Sequence, residues 1–312
     1  MAAGSDKYLV VVLGPTGVGK TAMSITLARF LEAHILSCDS RQFYRELQIG
    51  TAPPSAEQLA AVPHHFVGHR SIAERYSCGQ FELDAMERLN EIYRYQRVAL
   101  LVGGSGLYID ALCRGIDDFP VPDMELRNHL HEQLRTQGIG SFCEQLRQLD
   151  PEHYERIDRC NTQRVLKAVE VCLQTGRTYT SFLTAPSKPR PFSVIKIGIN
   201  IERSQLYARI DQRVDSMMAA GLLDEARELY PYRHLNALRT VGYTELFRHF
   251  DGELTLSEAV SLIKQNTRRY AKRQLTWWAR DNEIKWFAPN QDMEAAYHIR
   301  QRMNSSQNAS NQ

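Results

Sequence analysis

Gly14-Pro15-Thr16-Gly17-Val18-Gly19-Lys20-Thr21, eight residues near the start of a 312-residue chain, fits the phosphate-cradling pattern G-x-x-x-x-G-K-[ST]. Its flanks are those the chemistry requires. Tyr8 to Leu13 is a short Val-rich apolar run that reads as a strand, and Met23, Leu27 and Leu31 recur at a helical spacing of four. Strand, glycine turn and helix in that order let loop N–H groups converge on phosphate oxygens at a helix N-terminus, where peptide dipoles favour negative charge. Lys20 adds a point charge, and the Thr21 hydroxyl is a candidate ligand for Mg2+. The loop leaves open which phosphate compound is held.

Outward from the loop, His34 to Ser37, Val98 to Val102, Val194 to Ile201 and Glu283 to Phe287 read as further strands, separated mostly by longer helical stretches. This alternation predicts an α/β fold: a P-loop NTPase-like core with a mostly parallel sheet flanked by helices, plus an all-helical insertion domain. The insertion is opened by Phe119-Pro120-Val121-Pro122 and closed by Pro186-Ser187-Lys188-Pro189-Arg190-Pro191, with helical spacing and no convincing strand between. The expected division is a first core part at 1–117, the insertion at 118–191, a second core part with a basic C-terminal helix at 192–300, and a disordered polar tail at 301–312.

Composition narrows the class. No apolar run approaches a membrane span and no signal segment precedes the first strand, so a cytoplasmic enzyme with no membrane partner is expected. The six cysteines stand singly, which predicts free thiols and argues against a structural zinc. His64, His65 and His69 lack an acid or cysteine to complete a metal set, and after Pro63 they read as loop packing. A net charge of +2 is below that of a dedicated nucleic-acid binder. From Lys264 to Arg280, however, there are six basic residues and no acidic ones, with Lys264, Arg268, Lys272 and Arg280 on one helical face. That stripe reads either as a solvated face or as a phosphate-contacting one. Of the interleaved Tyr270, Trp277 and Trp278, at least one tryptophan is expected to anchor the helix on the core.

A nucleotide-hydrolysing phosphate-loop protein places an Asp at the end of an apolar strand to hold its metal. Val98 to Val102 runs instead into Gly103-Gly104-Ser105-Gly106-Leu107-Tyr108. The best strand-end acid is Asp39, opening Asp39-Ser40-Arg41-Gln42-Phe43-Tyr44, where it would lie in the ligand crevice or cap a following helix.

Taken together, the phosphate loop, Asp39-Ser40 with Gln42 and Tyr44, Ile49-Gly50-Thr51-Ala52, Pro63-His64-His65, Gly103 to Tyr108, Gln163-Arg164, Val241-Gly242-Tyr243 and Ala271-Lys272-Arg273-Gln274-Leu275-Thr276-Trp277 resemble the bacterial tRNA dimethylallyltransferases. The motifs come in that family's order, from the loop to about Trp278. The resemblance implies transfer of the dimethylallyl group of dimethylallyl diphosphate to N6 of the adenosine 3′ of the anticodon, in tRNAs reading codons that begin with U. Gly14, Pro15, Thr16, Gly17, Val18, Gly19, Lys20 and Thr21 would then grip a diphosphate leaving group with Mg2+, and Arg213 matches a family arginine on the same group. Asp39 would take the amine proton, and Ser105 would orient the amine.

The reactive adenine must leave the stacked loop, and its neighbours must be read outside. By resemblance the tRNA contacts are Asp39, Ser40, Arg41, Gln42 and Ser105 at the site. Further contacts are Arg127, Gln163, Arg164, Val165, Leu166 and Lys167 in the insertion, and Arg239, Thr240, Val241, Gly242, Tyr243 and Thr244 in the second core part. Family enzymes enclose the anticodon loop between core and insertion and are expected here to act as monomers. Pro53, Lys167 and Arg41 depart from the usual family residues; Lys167 matters most, because a lysine cannot make a guanidinium's bidentate contacts. Two other readings stay open: an adenylate dimethylallyltransferase acting on free AMP, ADP or ATP, and a phosphate-loop small-molecule kinase.

Overall fold

The computed structural model describes residues 6–184 and 188–310, so Pro186 and Ser187 of the closing proline stretch lie outside the described residues. In chain order the elements begin β1 (Tyr8–Leu13), α1 (Lys20–Leu31), β2 (His34–Cys38), α2 (Ala56–Ala61), β3 (His64–His65), α3 (Cys78–Ile92), β4 (Val98–Gly103) and α4 (Gly106–Arg114). They continue with α5 (Met124–Leu149), α6 (Pro151–Arg156), α7 (Thr162–Thr175), β5 (Ser193–Ile199), α8 (Arg203–Ala219) and α9 (Leu222–Leu229). The last are α10 (Tyr243–Phe250), α11 (Leu256–Trp278), β6 (Lys285–Phe287) and α12 (Asp292–Ser310). Two compact units result, 1–113 with 189–312 and Arg114–Lys188, so the insertion begins and ends a few residues earlier than the 118–191 expected.

In the larger unit six strands form one sheet in the order β3-β2-β4-β1-β5-β6, with every pairing parallel. Helices cover both faces, which is why β1 is apolar at every position instead of alternating. Val10 and Val12 pack with Leu27 of α1 and Ile299 of α12, whereas Leu9 and Val11 pack with Phe81 and Leu89 of α3. A third cluster joins α8 to α11 through Val214, Leu222, Leu246 and Ile263. The parallel arrangement brings the C-terminal ends of β1, β2 and β4 to one edge, where the phosphate loop, Asp39 and Ser105 follow them.

The insertion is helical, with Leu130, Phe142 and Leu146 of α5 packed on Val165, Leu166 and Val169 of α7. Helix α5 breaks at Gly138, whose φ of 74° interrupts the helical run.

Two expectations are corrected. His64 and His65, read as loop, form the two-residue strand β3 against Ile35 and Leu36 of β2. The tail expected to be disordered from 301 is helical to Ser310, because Met303 packs on the core and its carbonyl accepts the Tyr8 hydroxyl at 3.0 Å.

Candidate active site

The phosphate loop turns into α1 at Gly19, whose φ of 106° is open to glycine and strained for other residues, and no side chain caps the helix. Lys20 lies back over the loop, its Nζ donating to the Gly14 carbonyl at 2.8 Å and the Pro15 carbonyl at 3.0 Å. Burial draws its pKa down to about 8, opposed by the Asp39 carboxylate and assisted by the Arg213 guanidinium. Helix α8 runs beside the loop: Arg209 donates to the Val18 carbonyl at 3.3 Å, and Arg213, one turn on, is half-buried. Burial lowers the Arg213 pKa and Asp39 resists that shift. An i, i+4 arginine of this kind reads in sequence as a helix-surface cation; packing of α8 on the loop turns it inward.

Two cavities open at this edge. One, of about 430 Å3, is lined by Lys20, Thr21, Asp39, Gln42 and Arg213. The other, of about 330 Å3, is lined by Asp39, Ser40, Thr240, Tyr270 and Arg273, and again by Arg213. Asp39 and Arg213 therefore belong to both. No helix follows Asp39; its Oδ1 accepts the Arg41 N–H at 3.0 Å in a turn. The Ser105 Oγ accepts the Ser40 N–H at 3.1 Å and donates to the Ser40 Oγ at 3.3 Å. Gln42 holds the Thr51 and Ala52 carbonyls at 3.2 and 3.1 Å, fixing the Ile49 to Ala52 turn at the cavity wall.

Two residues of α11 acquire roles that the sequence did not indicate. Tyr270 reaches the catalytic edge: burial and the Asp39 charge push its phenol up to about 12, against the Ser105 hydrogen bond and the nearby Arg41 and Arg273. Gln274 is buried and bridges two motifs, accepting the Thr16 N–H at 2.9 Å and donating to the Gly104 carbonyl at 2.8 Å. The signal available in sequence was an aromatic and an amide one turn apart in a basic stripe.

Several expected contacts are placed differently. Val165, Leu166 and Tyr243 are core residues whose side chains face protein and not solvent, and the Gly242 backbone is buried. Gln163 and Arg164 are exposed at the start of α7, which Asn161 caps through the Arg164 N–H at 3.2 Å. Arg127 forms a bidentate pair with Glu170 at 2.7 and 2.8 Å, and Lys167 lies 3.6 Å from the same carboxylate. The Arg41 guanidinium donates to the carbonyls of Asn236, Ala237 and Arg239, so it holds the segment before α10. Arg239 and Thr244 are exposed, Thr240 and Val241 partly buried. Two members of the basic stripe are paired across to α8, Lys264 with Asp215 at 2.6 Å and Arg268 with Asp211 at 2.5 Å. Trp278 is the anchoring tryptophan at 4% exposure; Trp277, 45% exposed, donates to Asp110 at 3.1 Å.

A cation-lined phosphate loop, a strand-end carboxylate and a second cavity sharing that carboxylate define a group-transfer enzyme of the phosphate-loop class. The chain belongs to the IPP transferase family, whose model matches residues 42–281. It is 50% identical to a tRNA dimethylallyltransferase of Phocaeicola vulgatus over 93% of this chain and 97% of that one. The solved full-length tRNA isopentenylpyrophosphate transferase of Bacillus halodurans superposes with a TM-score of 0.73 at 34% identity, covering 98% of this chain and all of that one. A eukaryotic dimethylallyltransferase acting on tRNA, at 23% identity and a TM-score of 0.76, has the same fold over 91% of this chain and 74% of its own.

Proposed function

We infer that this protein is a tRNA dimethylallyltransferase. It transfers the dimethylallyl group from dimethylallyl diphosphate to N6 of the adenosine immediately 3′ of the anticodon, tRNA position 37, in tRNAs reading codons that begin with U, and releases diphosphate. One observation carries the reading: the phosphate-loop cavity and its neighbour share Asp39 and Arg213, so donor and acceptor can meet at a carboxylate and a guanidinium.

In this assignment the loop N–H groups, Lys20 and Arg213 hold the diphosphate and stabilise the negative charge that grows as the C–O bond breaks. N6 attacks C1 of the dimethylallyl group, the diphosphate departs with the bonding electrons, and Asp39 accepts the amine proton. Ser105, fixed by the Ser40 N–H, directs the amine. The Thr21 hydroxyl lines the same cavity as the Asp39 carboxylate, an oxygen-rich wall where Thr21 would hold Mg2+. Bound there, the ion would supply charge neutralisation of the leaving group. Gln163 and Arg164 at the exposed start of α7 are assigned to the RNA, as are Arg239 and Thr244. We place the enzyme in the cytoplasm as a monomer; no helix among the described residues is long and apolar enough to cross a membrane.

Transfer of labelled dimethylallyl group from its diphosphate to three acceptors tests the reading. Label is expected on an anticodon stem-loop with adenosine 3′ of the anticodon, and not on the same RNA with guanosine there or on free AMP. Label on AMP would make the protein a nucleotide prenyltransferase, and label on none of the three would overturn prenyl transfer.

A further inference from the structure

Outside every motif that marks the family, on the short helix α9, the Glu225 carboxylate is hydrogen-bonded on both oxygens. Its Oε2 accepts the N–H of Gln48 at 2.8 Å and of Ile49 at 2.7 Å, while its Oε1 accepts the Gly50 N–H at 2.9 Å and the Tyr243 hydroxyl at 2.6 Å. Three consecutive backbone donors converging on one carboxylate fix that turn as firmly as an anion fixes a helix N-terminus. The fourth donor ties the turn to α10. The Tyr243 ring lies where a β-carbon on Gly50 would sit, 2.6 Å from its Cζ, so the glycine lets the ring and the turn close on each other.

What Glu225 joins is the wall of the second cavity. Gly50 and Thr51 line that cavity from the turn, Val241 and Gly242 line it from the segment entering α10, and Leu222 of α9 lines it directly. The first cavity receives neither Val241 nor Gly242. The carboxylate itself lines neither cavity.

We propose that Glu225 is a positioning residue for the acceptor: through its four hydrogen bonds it sets the spacing of the two backbone walls between which the RNA base enters. The proposal rests on the assignment of the second cavity to the acceptor. Glu225 bonds none of the phosphate loop, Asp39 or Ser105, and Ala52, the turn residue that lines the first cavity, is held separately by Gln42, so the effect of neutralising Glu225 falls on acceptor binding more than on donor binding.

Glu225→Gln in the full chain tests this, because a glutamine keeps the shape but offers one acceptor oxygen, stranding the Gly50 N–H in one orientation and the Gln48 and Ile49 N–H groups in the other. The KM for an adenosine-containing anticodon stem-loop should rise about tenfold or more, with kcat and the Kd for dimethylallyl diphosphate each within about twofold of the parent. Tyr243→Phe removes only the link to α10 and should move the same KM in the same direction by a smaller factor; it carries the test if Glu225→Gln does not accumulate as folded protein. Equal losses in donor and acceptor binding, or a fall in kcat alone, or an unchanged KM, would each overturn the positioning role. The unsubstituted enzyme run alongside separates this from the parent reading: if it does not prenylate the stem-loop, the acceptor assignment itself fails.

Discussion

The Ser105 hydroxyl stands 3.1 Å from the Ser40 N–H and thereby joins the turn after β4 to the turn after β2, one residue from Asp39. The carboxylate proposed to accept the proton and the group proposed to orient the amine are held by the same short link, although 66 positions separate them in the chain.

Asp39→Ala should lower kcat at least about a hundredfold while the Kd for an anticodon stem-loop stays nearly unchanged, since the carboxylate is assigned to proton removal. Ser105→Ala should cost less, about tenfold in kcat, because a backbone-anchored hydroxyl orients and does not take the proton. Single-turnover rates and RNA binding measured on the same preparations separate the two roles, and near-normal turnover of the first variant removes Asp39 as the base.

Arg213 lines both cavities, so its assignment to the diphosphate is open to direct test. Arg213→Ala should reduce kcat/KM for dimethylallyl diphosphate at least about a hundredfold, with a loss in stem-loop affinity about ten times smaller. Comparable losses on both substrates would shift the guanidinium to the acceptor side.

In the insertion, Arg127 and Arg164 predict opposite outcomes. Arg127→Ala strands Glu170, whose side chain is 2% exposed, and should destabilise the protein by about 3 kcal/mol, the low end for a broken buried pair because Lys167 remains nearby. Arg164 is exposed at the start of α7, so Arg164→Ala should leave stability within about 0.5 kcal/mol and weaken RNA binding. Urea unfolding and stem-loop titration of both variants decide the matter.

Acid should weaken the fold through two histidines. Burial holds His65 down to about 4, helped by Arg88, His34 and His64; it holds His69 to about 4 as well, helped by Arg70 and Arg45 and opposed by Asp84 and Glu74. An unfolded chain protonates these rings near 6.5. Between about 6.5 and 4 the unfolded state binds more protons, so stability is complete above 6.5, declines as pH falls and levels off below about 4. His69 sits edge-on to Phe43, Phe66 and Tyr76, and neither ring nitrogen has a hydrogen-bond partner among the described residues. His69→Phe should therefore flatten part of that decline in urea midpoints measured from pH 7 to 4.5; an unaltered slope would rule His69 out.

The contrast between what could be read and what could not follows the range of the interactions. The loop, the five longer strands and the helical insertion were legible because each is written in local periodicity and punctuation. Strand β3 was missed because two residues carry no period. The tail was misread because its polar composition hides the few contacts, Met303 on Tyr8 among them, that order it. The placement of Asp39 and Ser105 just past strand ends was legible from the apolar runs before them. Tyr270, Gln274 and Glu225 were not, since their partners lie far off in sequence and only packing brings them together. The Arg127 pair with Glu170 was hidden for the same reason: the two residues are 43 positions apart.

The three carbonyls around Arg41 have a consequence for how this surface meets a polyanion. Lys264 and Arg268 face carboxylates, which cancel their fields beyond a few ångströms. Carbonyl acceptors satisfy a guanidinium's donors without removing its charge, so Arg41 is held in place with its charge kept in the lining of the second cavity. Toward the proposed RNA acceptor it would act by long-range attraction and not by shape, so Arg41→Ala should change the salt dependence of stem-loop association more than the choice of base.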